Sequence, residues 1–395
     1  MNALSELLDL SMPEKVSRGL EYTPREIAQQ PETWAATFTL FEQRRAEIIA
    51  FLDAAGIFNE PTHRPTVFLV GAGTSDYIGR ALVQLLRDRW QCEVMAVPST
   101  DVVTHLSDLV LSHQKYLWIS FSRSGDSPES VAAVEKALAV RPDIHHLIVT
   151  CNAQAHMVRI TAGNRKALSI CLDDTVNDRG LAMTSSFSNM VVFGQCLAHA
   201  TDAASYKNSL TNLIAAGKSL LAAAPDYAAR LARENFATAC FVGSGPLRAV
   251  ANECALKVLE LTSGKTLTMS ESALGLRHGP MSALKEDTLF VCFLSGDAYV
   301  RNYETDLLRE IGEKKLVKTR VAVASALLAD QSLAEHTLII PNAASLADAY
   351  RPPCDVIFGQ LLGLFFSLRA NLEPDHPSPN GAINRVVQGV KIYSN

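Results

Sequence analysis

Short apolar runs alternate with helical patterns through most of the chain. The first of them, TVFLVGAGTSDYIGRALVQLL at 66–86, predicts a strand, a glycine loop and a helix. CEVMAVPST, YLWISFS, HLIVTCN and ALSICLDD follow as four more β-prone runs. Because parallel strands are joined by helical crossovers that bury both faces of the sheet, this alternation predicts a parallel sheet between two layers of helices.

The same order of elements restarts near residue 215. ATACFVGSGPLRAVANECALKVLEL predicts a strand, a G-x-G loop and a helix, and DTLFVCFLSGDAYVRNYETDLLREI repeats the strand, Ser-Gly-Asp and helix of the first half. We interpret this as an internal duplication of one α/β design. The predicted domains are an N-terminal helical segment over 1–60, a first α/β domain over 61–214 and a second over 215–395 that includes the C-terminal tail. Residues 262–275, TSGKTLTMSESALG, are expected to form a connection.

Composition narrows the class of protein. The 395 residues are 48% hydrophobic and 19% charged, with a net charge of -5, so no basic excess indicates a nucleic-acid partner. The most apolar stretch, Leu181 to Ala204, is interrupted by polar residues and predicts a buried helix rather than a membrane span. The N-terminus lacks the pattern of a signal peptide, and the eight cysteines show no CxxC spacing. We therefore expect a cytoplasmic protein with no membrane partner.

The richest cluster of candidate chemistry follows the apolar run that ends at Phe121. The residues SRSGDS come next, and Ser127-Pro128-Glu129 then has the pattern of a helix N-terminus. Ser122, Ser124 and Ser127 bring hydroxyl donors to a helix dipole that favours an anion, and Arg123 can add charge. A phosphate group fits this pattern, although an ordinary polar connection between strand and helix would have a similar composition.

The two G-x-G loops are not dinucleotide fingerprints. The motif that starts at Gly71 lacks its third glycine, and the motif that starts at Gly243 has Arg248 in that position. There is no P-loop either, so we expect neither nicotinamide nor ATP as a cofactor. Because ligands of parallel sheets lie outside the carboxyl ends of the strands, Thr74 and Ser75 should face the same crevice as the serine-rich loop.

These features together resemble the sugar isomerase (SIS) domain family, in two tandem copies. The resemblance rests on the two G-x-G units, the SRSGDSPES loop, NECALKVLEL and LRHGP. The chain is similar to the isomerase half of glucosamine-6-phosphate synthase without its glutaminase. TPREIAQQPETW, NDRGLAMTSSFSNM, GLRHGPMSAL and PNGAINRVVQGVKIY resemble most the galactosamine-6-phosphate deaminase and tagatose-6-phosphate ketose-aldose isomerase group. The family fold is a parallel five-stranded sheet flanked by helices in each domain.

The resemblance assigns roles to specific positions. It implies that the phosphate site is formed by Gly73, Thr74, Ser75, Ser122, Arg123, Ser124 and Ser127. Leu181 and Ala182 would line the sugar pocket. Lys257 and Glu260 match a K-x-x-E motif whose Glu moves protons between C1 and C2, and His278 matches the histidine that opens the sugar ring. Gln388 stands where the synthase tail has a lysine.

The residues themselves give partial support for these roles. A Lys–Glu pair three residues apart is common on solvated helix surfaces, where it contributes a few tenths of a kcal/mol. The apolar neighbours in CALKVLEL argue against such a surface for Lys257 and Glu260. His278 precedes Gly-Pro, which predicts a loop. Glu271 could cap a turn or contact the sugar, and no residue spacing suggests a metal site.

The favoured interpretation is an enzyme that converts galactosamine 6-phosphate to a ketohexose 6-phosphate with loss of ammonia and without a cofactor. An aldose–ketose isomerase or a deglycase acting on another phosphosugar is the alternative within enzymes. The alternative that is not an enzyme is a sugar-phosphate sensor, but the sequence shows no DNA-binding segment of the kind that a regulator would carry. The resemblance also implies a homodimer, or a dimer of dimers, in which His278 enters the partner's site.

Overall fold

Two parallel five-stranded sheets form the framework of the computed structural model, which describes residues 1–393. The strands of the first sheet are β1 Thr66–Gly71, β2 Val94–Pro98, β3 Tyr116–Ser122, β4 His145–Thr150 and β5 Ala167–Cys171. Those of the second are β6 Thr238–Gly243, β7 Leu267–Ser272, β8 Thr288–Phe293, β9 Thr319–Ala324 and β10 His336–Ile339. The strand orders are β2-β1-β3-β4-β5 and β7-β6-β8-β9-β10, which is the same order twice. The predicted α/β class and the duplication are confirmed.

Helices precede the first sheet and connect the strands of both. They are α1 Ala3–Leu8, α2 Met12–Ser17, α3 Thr23–Ala28, α4 Gln30–Ala54, α5 Thr74–Trp90, α6 Ser99–Leu109, α7 Pro128–Val140, α8 His156–Thr161, α9 Ser185–Ala198, α10 Ala203–Ala232, α11 Pro246–Leu261, α12 Ala298–Glu313 and α13 Pro352–Arg369. Among residues 1–393, none of these helices combines the length and apolarity needed to cross a membrane.

The chain divides into two compact units. The first-sheet unit contains Thr33–Asn177, Ser185–Lys207 and the chain from Asn384 onward, and the second-sheet unit contains Met1–Glu32, Asp178–Thr184 and Asn208–Ile383. The predicted domain boundary between 214 and 215 falls inside α10 and stays a prediction. Residues 394 and 395 of the predicted second domain lie outside the described part of the chain.

The expectation that 262–275 is a connection was wrong in its middle, because β7 occupies Leu267–Ser272 and pairs in parallel with β6. β7 is an edge strand, and its first residue, Leu267, is exposed. An edge strand with one neighbour needs few apolar side chains, so the polar sequence LTMSES carried no apolar strand signal. In contrast, all six residues of β8 are buried, as its continuous apolar run predicts.

The helix predicted from Leu181 to Ala204 is shorter than expected. α9 begins at Ser185 and ends at Ala198, and every residue in it is buried. The residues just before it, from Asp178 to Thr184, form a loop instead. This loop carries Leu181 and Ala182, the two residues that the sequence placed in the sugar pocket.

Candidate functional site

The predicted phosphate residues lie at the carboxyl ends of β1 and β3, where the strand order of the first sheet reverses. β1 and β3 are neighbours, and the loops that follow them leave from the same edge. In an α/β sheet with this order, the crevice at the reversal is where ligands bind. Gly73 has a φ of +56° and precedes α5, whose first two residues, Thr74 and Ser75, are buried. These three residues therefore lie beside the loop that follows β3.

The loop after β3 is shaped by its own serines and by Gly125. The Gly125 N–H donates to Ser122 Oγ at 3.1 Å, and the Asp126 N–H donates to Ser124 Oγ at 3.2 Å. Gly125 has a φ of +63°, and a Cβ there would lie 2.4 Å from the Cβ of Ala155. Only glycine fits this position without a shift of the backbone, because the φ is left-handed and the space is filled.

The carboxylate of Asp126 is directed away from the helix that follows it. It accepts the backbone N–H of His156 at 2.7 Å and the side-chain N–H of Asn152 at 3.1 Å. α7 begins at Pro128 with Ser127 as its N-cap, and the Ser127 hydroxyl donates to Ser130 Oγ at 3.0 Å. Asp126 therefore does not neutralise the positive end of the α7 dipole, which agrees with the expected anion site.

Arg123 joins this loop to the C-terminal tail. Its guanidinium is buried and donates from Nη2 to the carbonyl of Arg385 at 2.5 Å. Arg385 Nη2 in turn donates to Asn177 Oδ1 at 2.7 Å. Gln388 is exposed, three residues beyond this attachment. The sequence assigned Arg123 to phosphate binding alone, and it missed both Arg385 and the attachment of the tail.

The loop that carries Leu181 and Ala182 is held by a buried carboxylate on α3. Glu26 Oε1 accepts the N–H groups of Arg179 and Gly180 at 2.5 and 3.4 Å. Glu26 is 3% exposed, and Ala182 is 2% exposed. The segment TPREI, which the sequence analysis used only for the family resemblance, thus contributes the residue that fixes this loop.

A second carboxylate and a backbone carbonyl also hold this loop within the second-sheet unit. Asp178 accepts the N–H and the hydroxyl of Thr184 at 2.8 and 3.0 Å, and the Leu181 N–H donates to the carbonyl of Asp375 at 3.0 Å. Burial, assisted by the charge of Asp178, raises the pKa of Glu26 to about 8. The loop is therefore built around an acid that holds its proton at neutral pH.

On α11, Lys257 lies between two carboxylates. Its Nζ lies 2.6 Å from Glu260 Oε2 and 3.3 Å from Glu253 Oε1. The side chains of Lys257 and Glu253 are 1% and 0% exposed, whereas that of Glu260 is 23% exposed. Burial opposes the charge of Lys257, but the two carboxylates outweigh it, so the pKa of Lys257 is raised. A buried ammonium thus contacts one fully buried carboxylate and one that is partly exposed.

Sequence reasoning missed Glu253. The signal was present, because Glu253 precedes Lys257 by four residues and therefore lies on the same face of the helix as the K-x-x-E pair. The apolar neighbours that argued against a solvated Lys257 apply to Glu253 as well. A buried lysine needs its charge balanced, and one partly exposed partner would leave that balance incomplete.

His278 and Glu271 lie elsewhere in the second-sheet unit. His278 follows a short 3₁₀ turn, is exposed, and makes no side-chain hydrogen bond to any residue in 1–393. The predicted loop position is confirmed, but no hydrogen bond or ion pair joins His278 to Lys257 or Glu260. Glu271 Oε1 accepts from Arg248 Nη2 at 2.7 Å and from the Ser272 N–H at 2.7 Å, so it is already engaged.

The predicted site residues are divided between the two compact units. The phosphate-loop residues and Gln388 belong to the first-sheet unit, and Lys257, Glu260, His278, Leu181 and Ala182 belong to the second-sheet unit. Residues 1–393 contain no cluster of three or more His, Cys, Asp or Glu side chains placed to bind a metal ion. The catalytic and binding roles of the predicted site residues stay predictions.

Comparison with known proteins identifies the class. A crystal structure from Clostridium novyi NT is 30% identical, covers 100% of both chains and superposes with a TM-score of 0.92. The structure of tagatose-6-phosphate ketose/aldose isomerase from Escherichia coli is 30% identical over 94% of this chain and 96% of its own, with a TM-score of 0.84. With the doubled sheet and the serine-rich loop, these matches define a phosphosugar enzyme of the SIS fold.

The sequence comparison narrows this class. D-galactosamine-6-phosphate deaminase AgaS from Escherichia coli O157:H7 is 35% identical over 376 residues, which is 94% of this chain and 95% of the relative. The chain belongs to the AgaS family of D-galactosamine-6-phosphate deaminases, and the resemblance stated from the sequence is confirmed. No family model matches the chain.

Proposed function

We propose that this chain converts D-galactosamine 6-phosphate and water to tagatose 6-phosphate and ammonia. The observation that carries the proposal is the Glu260 carboxylate, which is partly exposed and hydrogen-bonded at 2.6 Å to the buried Lys257. A carboxylate supported in this way can take a proton from carbon and return it. The activity named for the 35% identical relative supports the same reaction.

The proposed chemistry has three steps. Opening of the sugar ring gives an aldehyde at C1 beside the amine at C2, and His278 moves the proton between the C1 hydroxyl and the ring oxygen. Glu260 then removes the proton from C2 and delivers it to C1, while a proton passes from the amine nitrogen to the C1 oxygen, which leaves a hydroxyl at C1 and an imine at C2. Water adds to the imine carbon, both of its hydrogens pass to the nitrogen, and the C–N bond breaks to give a ketone at C2 and ammonia. Lys257 holds the Glu260 carboxylate in position through their hydrogen bond.

Substrate binding is assigned to residues that take no part in the proton transfer. The 6-phosphate is held by the hydroxyls of Ser122, Ser124 and Ser127 with Thr74, Ser75, Gly73 and Arg123, because hydrogen bonds to a charged group are the strong ones. Leu181 and Ala182 line the sugar, and Gln388 in the tail contacts it. No cofactor enters this scheme.

Simple ketose–aldose isomerisation is the second candidate, and the activity named for the Escherichia coli structure at 30% identity favours it. It uses the same transfer by Glu260 between C2 and C1 but needs an oxygen instead of a nitrogen at C2. The two reactions therefore differ in product and not in the base.

We also propose that the enzyme is a cytoplasmic homodimer or dimer of dimers in which His278 serves the partner's site.

A panel of hexosamine and hexose 6-phosphates separates these activities. We expect stoichiometric ammonia and ketohexose 6-phosphate from D-galactosamine 6-phosphate, with a lower kcat/KM for the gluco epimer. Aldose–ketose interconversion without any ammonia from an amino sugar would replace the deaminase proposal with the isomerase one. Binding of phosphosugars without turnover of any of them would reject both.

A further inference from the structure

The second-sheet unit contains a loop equivalent to the serine-rich loop, formed by Ser295, Gly296 and Asp297. It follows β8, the counterpart of β3, and leads into α12. The Asp297 N–H donates to Ser295 Oγ at 3.0 Å, as the Asp126 N–H donates to Ser124 Oγ at 3.2 Å. This hydrogen bond of the first loop is thus retained, although Gly125 has a positive φ and Gly296 does not. We call residues 295–297 the second cradle.

The second cradle is occupied by a carboxylate from elsewhere in the same unit. Ser295 Oγ donates to Asp348 Oδ2 at 2.5 Å, and the Gly296 N–H donates to Asp348 Oδ1 at 2.9 Å. Arg351 Nη1 also donates to Asp348 Oδ1, at 3.0 Å. A hydroxyl, a backbone N–H and a guanidinium around one anion form the donor set that suits a phosphate group.

The remaining donors of the second cradle also meet carboxylates. The Ser295 N–H donates to Glu304 Oε2 at 2.7 Å, and burial raises the pKa of Glu304 to about 7. Asp297 caps α12 by accepting the N–H groups of Tyr299 and Val300 at 2.8 and 3.2 Å. In the first loop the equivalent Asp126 faces away from its helix, so the two loops use the same Ser-Gly-Asp sequence in opposite ways.

Space for a ligand adjoins the second cradle. A cavity of about 330 Å³ is lined by Ser295, Ser325 and Arg301 among others. Arg301 Nη1 donates to the carbonyls of Ser295 and Gly296 at 3.1 Å each, and no carboxylate within residues 1–393 pairs with it. An unpaired guanidinium at this position would favour an anion larger than the carboxylate now present.

We propose that the second cradle is a phosphate-binding site whose permanent occupant is the carboxylate of Asp348. Asp348 takes the place of a phosphate group, and it thereby limits each chain to the phosphate site of the first-sheet unit. A variant in which the Asp348 carboxylate is removed and its volume is left empty should bind inorganic phosphate, or the phosphate group of a monoester, between Ser295, Gly296 and Arg351.

The test compares thermal unfolding of three full-length proteins in inorganic phosphate and in chloride at equal ionic strength and pH 6. Asp348→Ala removes the carboxylate and opens the space, whereas Asp348→Asn removes the charge and fills the space. Binding to the folded state alone raises Tm with ligand concentration. We expect phosphate to raise the Tm of the alanine variant by about 2 °C or more beyond its effect on the wild type and the asparagine variant.

A crystal structure of Asp348→Ala in phosphate locates the ion. Density between Ser295, Gly296 and Arg351 supports the proposal, and an empty cradle with no excess Tm shift overturns it. If the alanine variant does not fold in chloride, refolding in phosphate replaces melting, and failure in both salts also overturns it. Both readouts measure binding and not turnover, so the result is independent of the reaction proposed above.

Discussion

Lys257 Nζ lies 2.6 Å from Glu260 Oε2, and of the two side chains only Glu260 reaches solvent. Glu253 Oε1 lies 3.3 Å from the same Nζ, so the buried ammonium of Lys257 also has a buried carboxylate beside it. Lys257 therefore holds the Glu260 carboxylate in position without covering it. This pair is therefore the place where the proposed proton transfer is tested most directly.

Replacing Glu260 with glutamine should lower kcat by at least about 100-fold while substrate binding survives. Glutamine keeps the shape and can still hydrogen-bond to Lys257, but it cannot accept a proton. The informative measurement is exchange of the C2 proton of the substrate with deuterated water, followed by NMR, because it reports the transfer even if a later step limits turnover.

Glu271→Gln is the matched control for this experiment. Glu271 belongs to the same unit but already accepts hydrogen bonds from Arg248 and the Ser272 N–H. We expect exchange in this variant to stay within a fewfold of the wild type. Native exchange in Glu260→Gln together with loss in Glu271→Gln would transfer the role of the base to Glu271.

The family resemblance predicted Lys257 and Glu260, and their apolar neighbours argued against a solvated helix face. It did not predict β7, since an edge strand with exposed Leu267 has no apolar run to mark it. It could not predict that Arg123 binds the carbonyl of Arg385, because that contact joins positions 262 residues apart. Local pattern identifies elements and their chemistry, whereas pairings between distant segments depend on the tertiary fold.

The phosphate assignment predicts that Ser122→Ala combined with Ser124→Ala raises KM for 6-phosphosugars by about tenfold or more. Hydrogen bonds to a charged phosphate contribute about 1.5–3 kcal/mol each, and both hydroxyls belong to the loop before α7. Steady-state kinetics with D-galactosamine 6-phosphate measures the change. The control is Ser112→Ala, which alters an exposed serine and should leave KM unchanged.

Because Ser122 also accepts the Gly125 N–H, the double variant needs a check on its fold. A native Tm with raised KM assigns the loss to the ligand. A native KM in a folded double variant would place the phosphate elsewhere.

The raised pKa of Glu26 predicts that the free energy of unfolding depends on pH. Its folded pKa of about 8 lies above the ordinary value of 4.5, so between these pH values the folded state keeps a proton that the unfolded state releases. Stability should therefore fall as pH rises from about 4.5 to 8, by up to about 1.4 kcal/mol per pH unit, and then level off. Glu26→Gln removes this titration and keeps an oxygen for the Arg179 and Gly180 N–H groups.

Urea unfolding at pH 5, 6, 7, 8 and 9 measures this effect. The free energy of unfolding of Glu26→Gln minus that of the wild type should increase from pH 5 to 8 and then stay constant. Glu32→Gln, at an exposed carboxylate, is the control for the effect of a Glu-to-Gln substitution itself. A flat difference for Glu26→Gln as well would mean that Glu26 ionises normally in the folded protein.

Mixing two inactive variants tests whether His278 acts in the partner's site. His278 is exposed and makes no side-chain hydrogen bond within residues 1–393, so it is available to another chain. Glu260→Ala and His278→Ala homodimers should each be inactive. If they exchange subunits at equal amounts, half of the dimers are mixed and each mixed dimer has one intact site, so activity should return to about a quarter of the wild-type value. A tagged pull-down that shows mixed dimers without any return of activity would contradict action in the partner's site.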